Sequence, residues 1–171
     1  MKLSEIITTW HKLSSGDTVD QSNVFFRFVA LWIAFNGIYG ARYDKEPAEA
    51  SKISEFAGEP DMFKRHTDLL ASDKNYYQAV EYLAAKGVMD LSNPGDIYEI
   101  KKHKNLRQVM RCVYQIRNNL FHSGKVPGNP RDENLVDAAF TIVSKLIEPW
   151  CNPEWIDSWA EPGLSAYELS D

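Results

Sequence analysis

Apolar residues recur along this chain at spacings of three and four, the pattern of helices that bury one face, with little strict alternation. Leu3, Ile6, Ile7, Trp10 and Leu13 line one side of a short first helix, expected over 4–13 with Ser4 as its N-cap. A polar stretch, SSGDTVDQSN, separates it from VFFRFVALWIAFNGIY (Val24–Tyr39), which is apolar almost all round. That run predicts a buried central helix, capped by Ser22 and reaching about Tyr43. Gly37 and Gly40 lie three apart on one side of it and would let a second helix come close. Asn36 sits among apolar residues and needs a hydrogen-bond partner wherever it is buried.

Helices are expected next over 48–57, 60–71 and 74–86, the last stopped by Gly87. GVMDLSNPGD reads as a loop. A long helix is expected over 102–121, with Gly124 as its stop. Asn129 as N-cap and Pro130 at the first helical position open a final helix, with Asp132 and Glu133 in its first turn, running to about Glu148 before Pro149. No Asn-Gly or Asp-Gly turn joins two alternating runs, so no hairpin is expected. The fold class is therefore all-α: a single-domain helical bundle over 1–171, with extra helices between two core helices. Residues 152–171 form a tail in which Trp155 and Trp159 share a helical face. The Trp-rich end is expected to pack on the body or on a second subunit.

At 171 residues the chain has enough length to bury one sizeable core without a disulfide or metal staple. Cys112 and Cys151 are its only cysteines and form no CxxC, which points to a reducing cytoplasm and gives no zinc signature. No metal or cofactor is expected. The amino terminus lacks the apolar stretch of a signal peptide. Val24–Tyr39 is the one segment to weigh as a membrane span. At 16 residues, carrying Arg27 and Asn36, it is too short and too polar for that, so no membrane partner is expected.

Charge changes the picture more than composition does. The net charge of −5 argues against a polyanionic partner, but its distribution reverses the argument. Lys101, Lys102, Lys104, Arg107, Arg111, Arg117, Lys125 and Arg131 fall in a stretch with no Asp or Glu, giving it +8, while the rest of the chain carries −13. Such separation is an electrostatic footprint for a polyanion, though a basic helix paired with acidic neighbours inside the fold would read the same way.

The helix in that stretch carries the chemistry. Leu106, Val109, Val113, Ile116 and Leu120 make one apolar stripe. Lys104, Arg107, Arg111, Gln115, Asn118 and His122 make an opposite, largely basic one. Arg117 belongs to neither: it lies near the apolar stripe, where an unpaired guanidinium would be costly. Arginine offers phosphate a planar fork of donors, histidine exchanges protons near neutral pH, and asparagine binds an oxygen without adding charge. Arg117, Asn118 and His122 are thus candidates to handle a phosphodiester, with Lys104, Arg107, Arg111 and Lys125 as RNA-binding cations. The plain alternative is that Arg and His near a helix C-terminus only complement its negative end.

Two segments resemble the HEPN (higher eukaryotes and prokaryotes nucleotide-binding) family. IRNNLFHSGK is similar to that family's Arg-x4–6-His motif, including the polar residue after the arginine, here Asn118. FRFVALWIAFNGIYG is similar to its aromatic, Asn-containing early helix. The resemblance implies a helical homodimer whose motifs meet at the interface, acting as a metal-independent endoribonuclease in a toxin or phage-defence role. The ribose 2′-hydroxyl would attack the adjacent phosphate, with His122 in proton transfer, Arg117 on the phosphoryl oxygens and Asn118 orienting them. An antitoxin or other protein partner is implied as well. One toxin branch carries a tyrosine two residues after the histidine; Gly124 stands there, which sets this chain apart from that branch. Non-catalytic HEPN modules that bind RNA or nucleotides, or that dimerise, are the alternative. A third reading is a partner-binding protein acting through the Trp-rich tail. Tyr98, Tyr114 and Phe121 are candidates either for base stacking or for packing.

Overall fold

The computed structural model describes residues 2–15, 23–122 and 129–152. They form seven α-helices, α1 (Leu3–Ser15), α2 (Val24–Arg42), α3 (Glu49–Gly58), α4 (Pro60–Ser72), α5 (Lys74–Lys86), α6 (Leu106–His122) and α7 (Pro130–Ile147). Two two-residue strands, β1 (Val88–Met89) and β2 (Ile97–Tyr98), pair antiparallel between α5 and α6, and a 3-10 turn (Glu148–Cys151) follows α7. The architecture is an all-α, single-domain bundle.

Helix α2 runs through the middle, with α1 and α7 against it, α5 against α7, and α3 against α6. Phe25, Phe28, Leu31, Trp32, Phe35, Ile38 and Tyr39 of α2 are all buried. By length and composition α2 is the one helix among the described residues that could cross a membrane, yet half of its most apolar stretch is covered by the fold. Its polar positions are explained locally. Arg27 donates from Nε to the Ser14 carbonyl at the end of α1 (3.1 Å) and lies 4.2 Å from the Phe140 ring centroid. Asn36 is exposed and so needs no buried partner. Gly37 fulfils its expected role: a Cβ there would sit 2.8 Å from the Ile7 side chain, so α1 crosses where α2 has no side chain. Among the described residues a Cβ at Gly40 would meet only Asn36 of the same helix.

An aromatic core joins the layers. Phe35 meets Tyr39 at 4.7 Å and Phe56 of α3 at 4.9 Å between ring centroids, and Phe56 meets Trp150 at 5.9 Å, all edge to face. Trp150 is therefore a packing anchor. Trp155, Trp159 and the rest of the expected packing tail after Asn152 lie outside the described residues.

Several boundaries differ from the sequence expectation. Ser4 is a buried residue inside α1, which begins at Leu3. Asn23 caps α2, its side chain accepting from the Phe26 N–H at 3.1 Å, whereas Ser22 lies outside the described residues. The loop GVMDLSNPGD contains β1 and lies against α6. Helix α6 starts at Leu106 and not near Lys102, because Asn105 caps it (Gln108 N–H to Asn105 Oδ1, 3.2 Å) and Gln108 Oε1 turns back to accept from the Lys101 and Lys102 N–H groups. Gly87, at φ 63°, ends α5 as expected, and Asn129 with Pro130 opens α7.

His66 of α4 is wholly buried. Its Nε2 lies 2.7 Å from the His103 carbonyl, so Nε2 carries the proton, and Nδ1 accepts from the Tyr76 hydroxyl at 2.7 Å. Burial lowers its pKa below the ordinary value, against a smaller opposing effect of the His103 carbonyl. The unfolded chain takes up this proton near pH 6.5 and the folded one resists it. Between those two values the unfolded state binds more protons, so stability falls as pH drops. Melting temperature should decline from pH 7.5 to pH 5, and the decline should be shallower in His66→Gln; His11, lowered by burial too, supplies a remainder of the same sign.

Candidate functional site

Helix α6 packs against α3 on one side and the β1–β2 segment on another. Leu106, Val109, Val113 and Ile116 are buried as their spacing predicts. Gln115 and Asn119 are buried too, although Gln115 was placed on the polar stripe. Asn119 explains why. Its Oδ1 accepts from Gln115 Nε2 (3.0 Å) and from the Leu91 N–H (3.1 Å), and its Nδ2 donates to the Met89 carbonyl (2.7 Å). A single amide thus fastens the strand segment to α6. Asn119 lies roughly 100° from the centre of the apolar stripe on the helical wheel, so the spacing of residues did not mark it as facing inward.

Between α3, the strand segment and α6 lies a cleft of about 730 Å³. Arg107, Arg111, Tyr98, Tyr114, Gln115 and Asn118 line it, together with Asp90 and the α3 residues Ala50, Ile53 and Ser54. Arg111 is exposed and its guanidinium lies 4.6 Å from the Tyr98 ring centroid, a cation–π contact. Tyr114 stacks on Trp32 at 6.3 Å and 30°, so one of its faces is committed to packing. Arg107 donates from Nε to the Ser54 carbonyl (3.3 Å), and its guanidinium lies against Gly58, where a Cβ would collide with it. This places a cation at the negative end of α3. Lys104 is exposed in the turn before α6, beside a second groove of about 440 Å³ that shares Asn105 and Arg107 with the first.

No family model, no curated protein and no solved structure matches this chain.

Arg117 sits where α6 passes α2 and the start of α3. Its Nη1 donates to Asn118 Oδ1 at 3.1 Å and lies 3.3 Å from Glu49 Oε2. Its Cζ is 4.9 Å from the Phe121 ring centroid and 5.8 Å from that of Trp32. The cost of a guanidinium near the apolar stripe is thus met by a carboxylate and two aromatic rings. Glu49 is itself held: Tyr39 donates its hydroxyl to Oε1 at 2.5 Å and Trp32 its indole N–H at 3.3 Å. Burial, and then the Glu49 carboxylate, push the Tyr39 hydroxyl pKa well above the usual tyrosine range. Phe121 is half exposed over Arg117.

The structure therefore brings Arg117 against Asn118, and Asn118 into the same cleft as Arg107 and Arg111. His122 is the last residue of α6, four after Asn118; its side chain and the whole of Lys125 lie outside the described residues. Glu49 is the site residue that sequence reasoning missed. Its only signal was an acid at the first position of a helix, which every well-formed helix start can show.

The two adjacent asparagines make a paired test. Asn119→Ala removes three hydrogen bonds made by a buried amide and should cost about 1–3 kcal/mol of stability, whereas Asn118→Ala should cost much less. Urea titrations of both variants, monitored by circular dichroism, measure the difference.

Proposed function

We propose that the chain is a metal-independent endoribonuclease of the HEPN type, acting in the cytoplasm as a homodimer in a toxin or phage-defence role. The observation that carries this reading is the direct contact of Arg117 with Asn118, a residue lining a cleft whose cations are Arg107 and Arg111. A phosphodiester seated there would meet a guanidinium and a neutral amide together, with further cations along the same helix to hold neighbouring phosphates. His122 takes the 2′-hydroxyl proton or returns one to the leaving 5′-oxygen. The 2′-oxygen bonds to phosphorus as the P–O5′ bond breaks, and the products are a cyclic phosphate and a free 5′-hydroxyl. Arg117 stabilises the charge that gathers on the phosphoryl oxygens. In a homodimer the two copies of His122 supply the acid and the base of one cut.

Labelled RNA incubated in excess chelator should be cut to products with cyclic-phosphate and 5′-hydroxyl ends. His122→Ala should lower turnover by roughly 10²–10⁴-fold where chemistry limits the rate. Arg117→Ala, checked for folding because Glu49 loses its partner, should also lose activity. Cleavage in chelator that persists in both variants excludes this site, and a monomer cutting at full rate excludes the shared version.

A second reading has its own support. Arg117 is already ion-paired with Glu49, as expected of a non-catalytic module that binds RNA or nucleotides through the exposed cations alone. Such a module should bind RNA without product and release it as salt rises. Reversing Lys104 and Arg111 to Glu should weaken binding and flatten its salt dependence. Unchanged affinity in a filter-binding titration would remove the basic track from both readings.

A further inference from the structure

We infer that Glu49 is the positioning residue for Arg117, fixing which part of the guanidinium remains to engage RNA; the inference rests on the ribonuclease reading above. An isolated ion pair between two flexible side chains fixes little. This one differs because its carboxylate is anchored independently of the arginine. Glu49 is the first residue of α3, where the positive end of the helix favours a carboxylate. Its Oε1 is engaged by Tyr39 and Trp32, both buried residues of the central helix. Only Oε2 is left for α6, and Arg117 Nη1 comes to it.

The consequence for the guanidinium is asymmetric. Nη1 is committed twice, to Glu49 and to Asn118. Nε and Nη2, the other edge of the fork, donate to no described residue, and Nε is fully buried. A buried N–H without a partner is costly and uncommon in folded proteins, and tends to mark strain or function. Glu49 thus holds the Nη1 side of the guanidinium, so that Nη2 is the group left to meet RNA, Nε having no exposed surface. Asn118, touching the same Nη1, links that placement to the cleft.

The test combines kinetics with a spectrum that needs no activity. RNA cleavage in chelator would be measured for the wild-type chain and for Glu49→Gln, Glu49→Asp and Tyr39→Phe. Nitrogen-15 arginine side-chain spectra of the same proteins would be recorded, with Arg117 assigned through Arg117→Lys. Glu49→Gln should lower kcat on the order of 10²-fold with little change in KM, as displacement of a transition-state group does. Glu49→Asp should recover part of the loss, and Tyr39→Phe, which frees one carboxylate oxygen, should fall between. In the spectra the Arg117 Nη1 and Nη2 signals should be separate in the wild type and merge in Glu49→Gln. Identical Arg117 signals in those two proteins overturn the inference, as does a rise in KM with kcat unchanged. A wild-type chain that makes no product overturns the ribonuclease reading instead, and the spectra then decide the role of Glu49 alone. Should Glu49→Gln not fold, the same comparison falls to Tyr39→Phe, with unchanged Arg117 signals again overturning the inference.

Discussion

A guanidinium placed beside an apolar stripe has to find an anion, and that requirement organises the middle of this bundle. Arg117 meets it with Glu49, which stands at the start of α3 and is bound in turn by Tyr39 and Trp32 of α2. Three helices therefore converge on one carboxylate. Removing either charge would leave the other largely buried, a costlier state than losing an exposed pair. The pair sets register as well as energy. Trp32 stacks on Tyr114 and donates to Glu49, so the positions of α3 and α6 are both referred to one indole of the core helix.

Much of the fold was legible because its helices are punctuated by residues with definite backbone chemistry. Gly87 at positive φ, Pro60 and Pro130 at first helical positions, and Asn129 as a cap each mark an end through a local constraint that no distant contact overrides. The start of α6 was misplaced for the opposite reason. Lys101 and Lys102 fit a helical spacing, but Gln108 binds both of their N–H groups and holds them in a turn, while Asn105 takes the cap. The β1–β2 pair was equally hidden. Two residues per strand give no alternation to detect, and the connection is held both by local bonds within Asp90–Asp96 and by Asn119 from another element.

The site divides along the same line. That Arg117 needed a partner could be read from the helical wheel alone, since the argument concerns one helix and the cost of burying charge. Which residue would answer it could not, because Glu49 belongs to a helix whose place beside α6 is set by tertiary packing. Gln115 shows the limit of the wheel from the other side. A polar residue at the edge of the polar stripe is buried because Asn119 offers it a hydrogen bond, and the wheel has no means of pricing that bond.

The charge pattern gains a different meaning once the fold is in view. Of the basic run, Arg107 is spent on the end of α3 and Arg117 on Glu49, both intramolecular uses. Lys101, Lys102, Lys104 and Arg111 remain exposed on or just before α6, and Asp90 is the one acid among the residues that line the main cleft. The separation seen in the sequence is therefore two populations superposed. One cation set is bonded within the fold, Arg107 to a carbonyl and Arg117 to a carboxylate. The other stays exposed to solvent, with Asp96 and Glu99 sharing a groove with Lys101 and Arg111. A count of charges along the chain cannot separate the two, whereas burial and partner together do.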